Sequence, residues 1–90
     1  MDKNELIERV ENTLADLKRE RDEMRVKAHL AKMEASDEWK EIEAKFVRME
    51  SHVRELAEQA RHSLKDATVR AATALGEDIR DGLKRFSKGL

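Results

Sequence analysis

Ala31-Lys32-Met33-Glu34-Ala35-Ser36-Asp37-Glu38-Trp39 is the stretch that decides whether this chain is one long helix or a hairpin. Ala31, Ala35 and Trp39 stand four apart, so they extend an apolar row across the stretch, and neither Gly nor Pro is present to end a helix. Against continuity, Ser36 followed by Asp37 and Glu38 has the form of an N-cap with an acidic first turn. The missing stop signal favours continuity. The spacing predicts an all-α chain with a long helix over about 3–75, in a coiled coil or helical bundle, and a short C-terminal helix over about 77–88. The alternative is a helical hairpin turning near 36–38.

Toward the N-terminus the pattern is heptad-like. Ile7 and Leu14 begin one row, which passes through Arg21, Ala28, Ala35, Ile42, Met49 and Leu56, while Val10, Leu17, Met24 and Ala31 form a second row three residues away. Two such rows make the seam of a coiled coil. The second row fails at Glu38, and the seam passes to Trp39, Phe46 and Val53. That shift is a stutter over 31–42, a local unwinding of the supercoil. Arg21 occupies a seam position; its long stem is expected to lie along the seam with its head in water, the alternative being a register lock against a partner carboxylate. Trp39 lies on the moved seam and is expected in the core rather than as an exposed anchor.

Toward the C-terminus the period becomes eleven. Ile42, Val53, Leu64, Leu75 and Phe86 form one row, and Phe46, Ala57, Thr68, Ile79 and Leu90 another. Eleven residues in three turns favour a straight or weakly right-handed bundle. The chain thus reads as one helical unit, heptad-like over 3–35 and eleven-fold over 42–90. Six of its eleven Ala residues fall between Ala57 and Ala74. Small side chains bury little area, so this end is expected to be the looser one, fraying over 71–90. Gly76 followed by Glu77 and Asp78 reads as a helix stop and a new acidic first turn.

Composition narrows the function. Of 90 residues 43% are charged, with 19 Lys and Arg against 20 Asp and Glu, and there is no Cys or Pro. Disulfides and thiolate metal sites are excluded, and no stretch is apolar enough for a membrane span or a signal peptide, so the expected address is cytoplasmic. Abundant Ala, Glu, Lys, Arg and Leu argue for helix over disorder. Three His residues invite a metal reading, but His29, His52 and His62 do not share a face. The row Glu58, His62, Asp66 offers too few ligands for a closed site. No phosphate-binding loop, nucleophile beside a base, or Glu-x-x-His pair is present. No enzyme activity, cofactor or metal is expected.

The eleven-residue amphipathic pattern over 53–90, with its small apolar residues and Thr, resembles exchangeable apolipoproteins, synucleins and perilipins, a resemblance that implies helices lying on lipid. The segment from Glu23 through Met24, Val26, Ala28, Leu30, Ala31 and Met33 to Trp39 resembles small uncharacterised bacterial coiled-coil proteins, which implies a fold and no activity.

Two functions follow as expectations. The first is a non-enzymatic, homo-oligomeric coiled-coil scaffold, dimer or tetramer, whose interface is Ile7, Val10, Leu14, Leu17, Met24, Ala31, Ala35, Trp39, Ile42, Phe46, Met49, Val53, Leu56 and Leu64. The second is reversible binding at a membrane surface through 53–90, with Leu75, Ile79, Leu83 and Phe86 entering the interface while Lys84 and Lys88 stay at the headgroups. Residues 61–90 carry a balance of +3, which suits an anionic membrane surface or an acidic protein, and no nucleic acid is expected.

Overall fold

The computed structural model describes residues 3–59 and 66–90. They form α1 (Lys3–Leu30), α2 (Asp37–Gln59) and α3 (Asp66–Lys88), with no strand among them. The all-α bundle class therefore holds. The unbroken helix expected over 3–75 does not: α1 ends at Leu30, the chain reverses through residues 31–36, and the hairpin alternative is realised with its turn ahead of the 36–38 expected, since Asp37 and Glu38 already belong to α2. Nor does Gly76 start a short tail helix, because α3 begins at Asp66 and carries Gly76 in its middle.

Backbone hydrogen bonds explain why α1 stops without Gly. Met33 N–H donates to Ala28 O at 2.7 Å and Lys32 N–H to His29 O at 3.0 Å. This is the paired closure of a Schellman motif, which needs its C′ residue in the left-handed region. Lys32 supplies that conformation, with φ of 59°. A residue with a Cβ pays about 1 kcal/mol to do so. Met33, the next residue, packs against the core and helps to offset that cost.

The start of α2 has the form read from the sequence. Ser36 accepts the first helical bond, from Lys40 N–H, on its carbonyl at 3.1 Å, and its Oγ accepts from Trp39 N–H at 3.3 Å. Asp37 and Glu38 lie in the first turn, where the helix dipole favours them. Ser36→Ala should lower stability by about 1 kcal/mol, equivalent to a fall of roughly 5 °C in melting temperature. Thermal unfolding followed by circular dichroism checks this, and an unchanged melting temperature would remove the cap from the account.

The core runs along the bundle axis. Ile7, Val10, Leu14, Leu17 and Ala28 of α1 meet Trp39, Ile42, Phe46, Met49 and Leu56 of α2 and Ala72, Ile79, Leu83 and Phe86 of α3. α3 packs against both other helices, most extensively against α2, and α1–α2 is the smallest of the three helix interfaces. The expectation that the C-terminal end buries little thus fails for 72–86, where small residues let α3 approach closely. A Cβ on Gly76 would stand 3.2 Å from Met49 Cε and 3.5 Å from Thr13 Cγ2, and one on Gly82 would stand 3.3 Å from Ile42 Cγ1. The bundle is narrow. Its extents are 45 × 19 × 15 Å and its radius of gyration is 14.3 Å, against about 12 Å for a rounded domain of this length.

Candidate interaction surfaces

The residues read as an oligomer seam are largely occupied within one chain. Ile7, Val10, Leu14, Leu17, Trp39, Ile42, Phe46, Met49 and Leu56 are buried, and Met24 and Val53 are half-buried against them. Ala31 and Ala35 are exposed, because they fall in the turn that replaces the expected continuous helix. Leu64 lies outside the described residues. In sequence, a row that closes on its own chain has the same spacing as one that closes on another copy, so periodicity alone does not distinguish them.

Arg21 lays its stem along the seam as expected, and the carboxylates that its charge meets belong to its own chain. Its side chain is 16% exposed, its guanidinium carbon lies 4.8 Å above the Phe46 ring centroid, and its Nη atoms reach Asp22 Oδ1 at 3.2 Å and Glu43 Oε2 at 3.9 Å. The stem therefore fills the seam while the charge finds carboxylates at its edge. Glu43 also accepts from Arg25 Nη2 at 2.9 Å, and Lys18 Nζ stands 3.7 Å from Glu50 Oε1. These contacts form an ion-pair ladder along the α1–α2 seam. The hydrogen bond from Arg25 to Glu43, followed by their charge attraction, raises the Arg25 pKa further above its ordinary value.

Trp39 is in the core, 4% exposed, with its ring 5.1 Å from that of Phe86. Phe86, Leu83 and Ile79 are buried and Leu75 is half-buried, whereas Lys84 and Lys88 are exposed. The residues read as lipid-contacting thus divide as an amphipathic helix requires, but their apolar members face α1 and α2. Among the described residues, Arg70, Arg80, Lys84, Arg85 and Lys88 of α3 take no part in an ion pair, whereas pairs do form on α1, α2 and the turn between them.

Large apolar side chains left in water include Val26 (61% exposed), Leu30 (77%) and Val47 (68%). The first two are one helical turn apart at the end of α1, next to the exposed Ala31. Nothing in the heptad pattern marks them, because they lie off the seam.

The histidines do not converge. His29 Nδ1 pairs with Glu34 Oε1 at 3.1 Å across the turn, while His52 Nδ1 is buried with no hydrogen-bond partner and stands 3.7 Å from Glu55 Oε2, too far for a hydrogen bond. His62 lies outside the described residues. Among those described, no three His, Asp or Glu side chains are grouped to hold a metal, and no helix is long and apolar enough to cross a membrane.

Open grooves among the described residues include three. One of about 360 Å3 runs between α1 and α3, over Val10, Thr13, Met49 and Gly76, with Arg9 and Arg80 along it. Another, of about 430 Å3, lies between α2 and α3 at Ile42, Lys45, Arg85 and Phe86. The third is an apolar notch at the turn, formed by Val26, His29, Glu34 and Trp39. None contains an arrangement of nucleophile, base and orienting group. The fold and these surfaces define an all-α three-helix bundle. Comparison with family models, with curated proteins and with solved structures finds no match.

Proposed function

We propose that this chain is a non-enzymatic assembly module that associates with further copies of itself. The observation that carries this reading is the run of uncovered apolar side chains at the α1–α2 turn, Val26, Leu30, Ala31 and Ala35, with Val47 further along α2. Exposed apolar surface beside a narrow core is the kind of surface that a second helical chain covers. The mixed-sign ladder on the same hairpin supplies direction and register to such a contact more than affinity.

Sedimentation velocity over roughly micromolar to millimolar concentration tests it. The mass is expected to rise from monomer toward dimer or tetramer, and a strictly monomeric chain over that range would refute the reading. A second reading, docking at an anionic lipid surface, is favoured by the five unpaired basic side chains of α3. A monomer that co-sediments with anionic vesicles at low salt and is released at high salt would put that reading first.

A further inference from the structure

Resting on the self-association reading, we infer that two copies pair by exchanging α1. In the exchanged dimer residues 31–36 become helical and α1 and α2 fuse into one helix over 3–59. The α1 segment of each copy then packs against α2 and α3 of the other.

Several observations converge on this. The turn Ala31-Lys32-Met33-Glu34-Ala35-Ser36 contains no Gly or Pro and five of its six residues are strong helix formers. It is closed by Lys32 at φ 59°, a conformation that straightening would relieve. Short hinges under strain are where helices exchange between copies at low cost.

The apolar face is continuous through the hinge. Ala28, Ala31, Ala35, Trp39 and Ile42 follow one another at steps of three, four, four and three, which keeps them on one side of a straight helix. In the closed bundle Ala28, Trp39 and Ile42 are buried while Ala31 and Ala35 are in water. The straight helix would bring those two alanines onto the shared seam, where small side chains let a second backbone approach; of the uncovered apolar side chains at the turn these are the two that exchange covers, since Val26 and Leu30 lie on the opposite side of the straight helix.

Two rungs of the ladder have the symmetry that exchange requires, and the third, Arg21 with Glu43, is centred two residues away. Arg25 with Glu43, and Lys18 with Glu50, are pairs equidistant in sequence from Glu34. Two straight antiparallel helices crossing at Glu34 around a two-fold axis would therefore remake each pair between copies in the same register. Core contacts of α1 with α2 and α3 would be remade in the same way. What changes is the hinge: the Schellman closure and the Ser36 cap are lost, and helical bonds through 31–36 replace them. To exchange, α1 must leave both α2 and α3, and its interface with α2 is the smallest of the three while α2–α3, the largest, stays closed.

The test is an intrachain distance in the full-length protein. Spin labels are placed on the double variant Asn12→Cys/Ala57→Cys, two exposed sites in a chain otherwise free of Cys. The labelled chain is refolded with an excess of unlabelled chain, so that only distances within one copy are read. In the closed hairpin the two sites face neighbouring helices at one level, under about 25 Å apart. In the fused helix they are about 68 Å apart. The dimer fraction is expected to give the long distance and the monomer fraction the short one. A dimer that keeps the short distance overturns exchange and leaves self-association standing, whereas the absence of any dimer overturns both.

Lys32→Gly supplies the second arm. Gly suits the left-handed turn and weakens the fused helix in both copies, so the dissociation constant should rise on the order of 1,000-fold while the monomer stays folded. An unchanged or lower dissociation constant would overturn the proposal.

Discussion

Phe46→Ala should unfold much of the population at ambient temperature or bring it close to that point. Phe46 is 1% exposed and stands in the middle of α2 between Ile42 and Met49. Removing such a ring costs about 3–5 kcal/mol in transfer energy and cavity. A chain of this length has about 5–13 kcal/mol of stability in total, and a narrow bundle belongs at the lower end. The ring is also the surface on which Arg21 lies, 4.8 Å from its centroid, so truncation opens a gap beneath a side chain that is 16% exposed. Urea unfolding followed by helical circular dichroism should show the midpoint falling by half or more. Val47→Ala, the neighbouring residue at 68% exposure, serves as the contrast and should change stability by less than about 0.5 kcal/mol. A loss below 1 kcal/mol for Phe46→Ala would mean that α2 does not face the core as described.

How far the sequence discloses this arrangement depends on the kind of interaction. Ile7, Leu14, Val10 and Leu17 declare their burial through spacing alone, because a seven-residue repeat leaves a helix only one face to hide. Ser36 declares itself as a cap through its own chemistry and the two acids after it. Trp39 follows from the shifted row. The end of α1 is different, since the signal sought there is Gly or Asn, and Lys32 takes the left-handed conformation without being either. Its stop is closed by the paired bonds from Lys32 and Met33 N–H and accompanied by the packing of Met33 against the core, neither of which the Gly signal marks. The interface residues were legible as buried but not as buried within one chain, because the spacing of a seam does not name its partner. Val26, Leu30 and Val47 lie outside any row, and only the assembled fold separates them from the core. α3 was legible as amphipathic, but the spacing of its apolar face does not name what covers it; in the bundle Phe86 lies against Trp39.

Gly76 shows the same ambiguity in a single residue, and its substitution carries the second large effect. A Gly after an Ala-rich stretch and before two acids reads equally as a helix stop or as a point of close approach. A stop of the left-handed kind requires positive φ, and no Gly among the described residues has it. Close approach is what remains: a Cβ would stand 3.2 Å from Met49 Cε, 3.5 Å from Thr13 Cγ2 and 3.8 Å from Leu17 Cδ1. For Gly76→Ala the two effects oppose each other. The helix gains about 1 kcal/mol in propensity, while a fully buried Met49 must give way by a few tenths of an ångström, so the net change should be small. Gly76→Leu adds three further carbons where α1, α2 and α3 already meet. Either α3 moves off α1 or Met49 and Leu17 leave their rotamers, at a cost of about 2–3 kcal/mol that the propensity gain only partly offsets. Melting should therefore fall by roughly 10 °C in Gly76→Leu and stay within a few degrees in Gly76→Ala. If Gly76 instead ended a helix at the surface, the order would reverse. Ala would then lose the left-handed conformation as badly as Leu, and the larger side chain would add no further penalty. Parallel melts of the two variants decide between a contact and a stop.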